Sequence, residues 1–332
     1  MAQRRYEYAP AGTLPGLLQR GRGLGAQMAA EDPAAAADLV YGCIRWDWRW
    51  DRQVDDRHLY LARLVRDLEL PVGPIVELLT GDEDTCLRAT GVLELLALGG
   101  SAEARDALRT HVREGEHRVA VLESVAVVWP PQWWEDLAAG QDVRDGQDVR
   151  RRRGPRGPRG PRGSTDPAPE RDSASPPALL PEHGGGASDP SMATGELERQ
   201  WAAQEWCGPM HTARGLAQFG PEAAGAASLL RRFWLWTPHS SERPAYLEAL
   251  AAVAPAGLAE VYTECLWDCE ADARLLAVAH APDRPHVRER LAHLRDDPME
   301  VPEVREAAGA RLAGLSSGGS EREGAASEGE LE

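Results

Sequence analysis

A chain of 332 residues has room for one large domain or two smaller ones, and 42% hydrophobic content is enough to build a real core. The net charge of −16 disfavours general nucleic-acid binding. No run of about 18 apolar residues occurs, so no membrane-spanning helix is expected.

The apolar mass is mainly Ala, Leu and Val, and 11 of the aromatic residues are Trp. Ala and Leu favour helix. Lys and Asn are absent, and Ile stands only at Ile44 and Ile75. That bias suggests GC-rich coding and a bacterial source. The five cysteines, Cys43, Cys86, Cys207, Cys265 and Cys269, are odd in number and scattered. Reduced thiols in a cytoplasm are the simplest reading. The sequence starts without an apolar signal segment, which agrees with that location.

In chain order, residues 29–44 read as a first helix. A stretch of alternating Trp and charge follows, Arg45-Trp46-Asp47-Trp48-Arg49-Trp50-Asp51-Arg52. Then Arg57, Arg88 and Arg118 recur at intervals of about 30 residues. Each opens an apolar stripe at helical spacing, as in Tyr60, Leu61, Leu64 and Val65 after Arg57. Helical segments are expected between them at 74–79 and 102–112. Breakers such as Pro71, Gly99-Gly100 and Pro130-Pro131 mark the turns.

Residues 140–193 change character. Pro, Gly, Ser and Arg dominate, with three Gly-Pro-Arg triplets between Gly154 and Arg162. Such a composition predicts a disordered linker. It holds nine Arg against eight acidic residues, so nearly all the negative charge falls on the rest of the chain. The basic run from Arg150 to Arg162 is the one place where nucleic acid or an acidic surface would be contacted.

The spaced Arg series resumes with Arg214, Arg243, Arg274 and Arg305. Helices are expected at 221–236, 258–267 and 286–294. An acidic residue precedes most of the repeated Arg: Asp56, Asp84, Glu116, Glu242, Asp272 and Glu303. From residue 316 the chain is polar and acidic, and a disordered tail is expected.

The pattern is helix, turn, helix, turn. It reads most clearly as Gly81-Asp82-Glu83-Asp84-Thr85-Cys86-Leu87-Arg88-Ala89 and Val301-Pro302-Glu303-Val304-Arg305-Glu306-Ala307-Ala308. This resembles the HEAT-like repeats of phycobilin-lyase-type proteins. The resemblance implies an all-α solenoid of stacked helix pairs with a period of about 30 residues. It also implies that Arg57, Arg88, Arg118, Arg243, Arg274 and Arg305 form a structural ladder with acids of neighbouring units. The expected organisation is a repeat half at 1–139, the linker at 140–193, a second repeat half at 194–315 and the tail at 316–332. With the linker as an insertion, residues 120–139 are expected to pack on 194–213.

Other motifs have plain readings. Gly21-Arg22-Gly23-Leu24-Gly25 follows no strand and lacks a phosphate-loop pattern, so it reads as a loop or helix breaker. Cys265 and Cys269 share a helix face without standard zinc spacing. No catalytic, cofactor or metal residue can be assigned. The function that follows is a non-enzymatic scaffold or adaptor for an unknown protein or peptide. Trp46, Trp48, Trp50, Trp234 and Trp236 are candidate partner contacts, since Trp is favoured in binding hot spots. The alternative is a HEAT-like enzyme or nucleic-acid-acting module, of DNA-repair or tetrapyrrole-lyase type.

Overall fold

The computed structural model describes residues 7–138 and 189–327, with side chains to Ser316. Every regular element among them is helical. The run from Arg150 to Arg162 and nearly all of the expected linker lie outside the described residues.

The first half contains α1 (Leu14–Gln19), α2 (Gly23–Glu31), α3 (Pro33–Arg45), α4 (His58–Asp67) and α5 (Gly73–Val76). It continues through α6 (Glu83–Leu98), α7 (Ala102–Glu114), α8 (Arg118–Val128) and α9 (Glu135–Ala138). The second half holds α10 (Pro190–Ala202), α11 (Pro209–Ala217), α12 (Ala227–Trp236) and α13 (Arg243–Val253). It ends with α14 (Ala259–Cys265), α15 (Ala271–His280), α16 (Pro285–Asp296) and α17 (Pro302–Ser327).

Local chemistry sets these boundaries. The side chains of Asp32, Asp82, Ser101 and Asp189 accept from backbone amides of the first turns of α3, α6, α7 and α10. Pro33, Pro190 and Pro285 occupy first-turn positions where no amide is needed. The helix expected at 29–44 is therefore two helices, because Asp32-Pro33 ends α2 and starts α3. Between α6 and α7, Gly100 takes φ +101°, a conformation that favours glycine.

Two further boundaries differ from expectation. Residues 190–193, assigned to the linker, form the start of α10, because Asp189 caps it and Pro190 opens it. The tail expected from residue 316 continues as helix to Ser327. Once the packed turns of α17 exist, each further residue adds a hydrogen bond without a new nucleation cost.

Alternate helices stack within each half. In the first, α6 lies between α4 and α8, with α7 packed on α6 and α8. In the second, α11, α13, α15 and α17 stack in sequence, with α10, α12, α14 and α16 on their neighbours. Two apolar cores result, and Cys269 and Met299 of the second half enter the core of the first.

The halves do not meet where the sequence suggested. Helices α8 and α9 pack on α6 and α7, while α10 packs on α11 and α12. The joint instead brings α1, α2 and α4 against α14 and the turns that precede α13, α15 and α17.

Candidate functional site: a buried ionic joint with an aromatic rim

The joint begins at the glycine-rich segment. Gly21 has φ +66°, and a Cβ there would lie 2.6 Å from the Cys269 Sγ. A Cβ on Gly23 would lie 1.9 Å from the Glu264 carbonyl oxygen. These glycines let the backbone of the first half approach α14 and the turn before α15. The Cys269 amide then donates to the Gly21 carbonyl at 3.0 Å. The segment read from sequence as a breaker is a docking surface between the halves.

Between these glycines, Arg22 is buried, stacks on Trp234 at 3.9 Å and pairs with Glu264 at 2.6 Å. Arg20 donates to the carbonyl oxygens of Ala9, Gly16 and Trp236. Burial lowers its pKa to about 10.

Helix α4 supplies the centre. Arg57, its N-cap residue, donates to the Cys269 Sγ at 3.1 Å and to the Ser240 hydroxyl. Ser240 donates to Glu270. Burial pushes the Glu270 carboxyl up to about 7, against the pull of Ser240, Arg243 and Arg57. Burial likewise holds the Cys269 thiol up at about 12 despite Arg57 and Arg243. Burial thus keeps the thiol in its neutral form, as a packed hydrogen-bond partner of Arg57 and Arg243.

Nearly two turns along α4, Arg63 donates to Asp297 at 2.8 Å and Glu300 at 2.9 Å, and Arg66 donates to Asp297 at 2.9 Å. Burial raises the pKa of both acids, but the guanidiniums outweigh it. Arg63 and Arg66 bring Asp297 to about 2, and Arg274 and Arg63 bring Glu300 to about 2.

Within the second half, Arg243 grips Asp268 through two hydrogen bonds, and Arg274 grips Glu300 likewise. The partners lie 25 and 26 positions downstream, in the turn of the following helix pair. The acids just upstream of these Arg serve otherwise or not at all. Glu242 accepts from the amides of Gly208 and Met210 and from Tyr246, while Asp272 and Glu303 are exposed.

Thus Arg57, Arg243 and Arg274 are buried in this network. Arg88 donates to the Arg45 carbonyl and Thr85, and Arg118 and Arg305 are exposed. The joint also uses Arg22, which the sequence reading placed only in a breaker, and Arg20, Asp55, Arg63, His239, Ser240 and Glu270, none of which that reading singled out. A signal existed: Glu242, Glu270 and Glu300 recur at about 30 residues, as the Arg do.

His239, Asp55 and two serines gather at the same place. Asp55 accepts from His239 Nδ1 at 2.8 Å, and Ser241 contacts that same nitrogen at 3.2 Å. A nucleophilic relay needs serine and carboxylate on opposite ring nitrogens. The arrangement is therefore a hydrogen-bonded clasp. Among the described residues no group of three or more His, Cys, Asp and Glu is placed to hold a metal ion. No helix of the described residues is long and apolar enough to cross a membrane.

Aromatic residues frame the joint. Trp50 donates through Nε1 to the Cys207 Sγ at 3.0 Å. Next in the chain, Trp206 packs edge-on against Trp201, which meets both Phe233 and Trp236. Trp46, Trp50 and Trp236 are 55%, 38% and 43% exposed. Trp48 is half-buried, with its carbonyl accepting from Tyr8, and Trp234 is buried under Arg22.

No family model matches the chain, and no curated protein or solved structure matches it either.

Proposed function

We propose that this chain is a non-enzymatic scaffold, built as two HEAT-like solenoid halves, that holds a protein partner on the aromatic rim of their joint. The observation that carries this reading is the continuous path Trp50, Cys207, Trp206, Trp201, Trp236, which crosses from one half to the other and leaves large indole faces in solvent. Trp supplies much contact area at little entropic cost and is enriched in interface hot spots. The stacking of alternate helices supports the solenoid reading, since one helix pair cannot bury its apolar face alone. The clasped joint supports it further, because a rigid rim loses little entropy on binding.

The test compares full-length protein with the Trp50→Ser, Trp236→Ser double variant in pull-downs from nuclease-treated lysate of the native organism. A stoichiometric protein held by the parent and lost by the variant is expected, with circular dichroism unchanged. A protein held equally by both, or none at all, would remove the rim as the binding surface.

A further inference from the structure

Helix α16 carries a cation that the joint does not use. Arg290 is only 6% exposed, and its guanidinium lies over the Trp267 ring at 4.7 Å. Its Nε donates to the Leu266 carbonyl at 3.2 Å. Nη1 and Nη2 have no hydrogen-bond partner among the described residues, and neither is sealed from solvent. Stack and hydrogen bond thus hold the stem of the side chain and leave its outer fork open.

The carboxylates around Arg290 are engaged elsewhere. Asp67 accepts from Arg66 at 2.7 Å, Asp297 from Arg63 and Arg66, and Glu300 from Arg63 and Arg274. Four guanidiniums, Arg290 included, therefore share three carboxylates. A buried cation without its own counter-ion is costly. Burial, with repulsion from Arg63 added, lowers the Arg290 pKa to about 9.

His293 stands three positions further on, a neighbour of Arg290 on the helix surface. Its Nε2 lies 2.8 Å from Arg66 Nη2. A guanidinium only donates, so the imidazole accepts there and carries its proton on Nδ1. Burial and then Arg290 lower the His293 pKa, against the pull of Asp67, which keeps the ring neutral at pH 7. The Nδ1–H has no acceptor among the described residues.

We propose that Arg290 and His293 bind a phosphate group, free or as a monoester. The two ends of the guanidinium and the Nδ1–H of His293 supply three donors. A tetrahedral oxyanion can meet all three, whereas a planar carboxylate has two oxygens to offer. The anion supplies the charge that the neighbouring carboxylates do not, and Trp267 keeps the guanidinium in place for it.

The test is equilibrium dialysis of the full-length protein against inorganic phosphate, phenyl phosphate and acetate at near-physiological salt. A single saturable site is expected, at least tenfold tighter for a phosphate than for acetate. Whichever phosphate binds more tightly tells a free ion from an ester. Arg290→Gln should weaken binding at least tenfold, and Arg290→Lys, which keeps the charge, should recover part of that loss. Arg305→Gln, an exposed position, should change nothing. In the parent, the imidazole nitrogen resonances of His293, assigned by their absence from His293→Gln, should shift in step with occupancy. No saturable binding, acetate as tight as phosphate, or bound phosphate that leaves those resonances unmoved would overturn the proposal. Dialysis and resonance shifts are read on the parent protein, so they decide even where an Arg290 variant fails to fold.

Discussion

Arg57 and Cys269 lie 212 positions apart, yet the guanidinium of one donates to the sulfur of the other at 3.1 Å in the interior of the protein. Arg243 reaches the same sulfur, also at 3.1 Å. A thiol between two cations would ordinarily be acidified, but burial dominates and the sulfur stays protonated. Cys269 thus works as a neutral acceptor at the centre of a charged joint.

Breaking one ion pair of that joint should be costly. Arg243 is fully buried, and Arg243→Met leaves Asp268 uncompensated. A loss of about 3–5 kcal/mol in urea unfolding is expected. The double variant Arg243→Met, Asp268→Leu should recover much of this, because it removes the stranded charge as well. A single variant as stable as the parent would show that the pair is not needed.

The glycines give a geometric prediction. Gly23→Ala places a methyl carbon 1.9 Å from the Glu264 carbonyl oxygen, so α2 must move away from α14. Thermal unfolding should drop by several degrees. Gly42→Ala is the control, because a Cβ there meets nothing within 4 Å and the position is inside α3. It should stabilise by up to about 1 kcal/mol. Equal behaviour of the two variants would contradict the close approach.

Stability should fall as pH rises from about 5 to 8. Glu270 holds its proton to about pH 7 when folded, whereas an unfolded Glu releases it near about 4.3. Between those values the native state binds more protons, so raising the pH favours unfolding. His239 acts in the same direction. Burial disfavours its cation, but Asp55 more than restores it, so its pKa is raised and its contribution is lost as pH rises through that value. Asp297 and Glu300 act at the other end, stabilising the fold above about pH 4 and losing this as pH falls towards about 2. Melting temperatures of the parent and of Glu270→Gln across pH 5–8 test this. The variant should show the flatter slope, and identical slopes would exclude Glu270 as the titrating group.

Much of the helical architecture was legible in the sequence. The stripe after Arg57 and the breakers at Pro71 and Gly99-Gly100 mark α4, the turn before α5 and the end of α6 with little ambiguity. The joint was hardly legible, because its partners are separated by some 180 to 240 positions, and the recurrence of Glu242, Glu270 and Glu300 does not say which residues of the first half they face. Charge adjacent in sequence was also misleading. Glu242 stands beside Arg243, yet the carboxylate that holds Arg243 is Asp268, since a helix start points its side chain at the neighbouring turn. Of the Trp candidates, periodicity could not separate Trp234 from Trp236. Their positions on α12 put one under Arg22 and the other at the surface.

The clasp also bears on what the peptide connection between the halves is for. Among the described residues, the hydrogen bonds and ion pairs named above across the joint run between residues 20–66 and 207–300. These ties between residues distant in the chain can form whether or not the two halves share one backbone. A polypeptide ending near residue 138 and another starting near residue 189, produced separately and mixed, should assemble into a one-to-one complex. The chain would then be a natural fusion of two interlocking parts, and reconstitution from fragments would be its most direct signature.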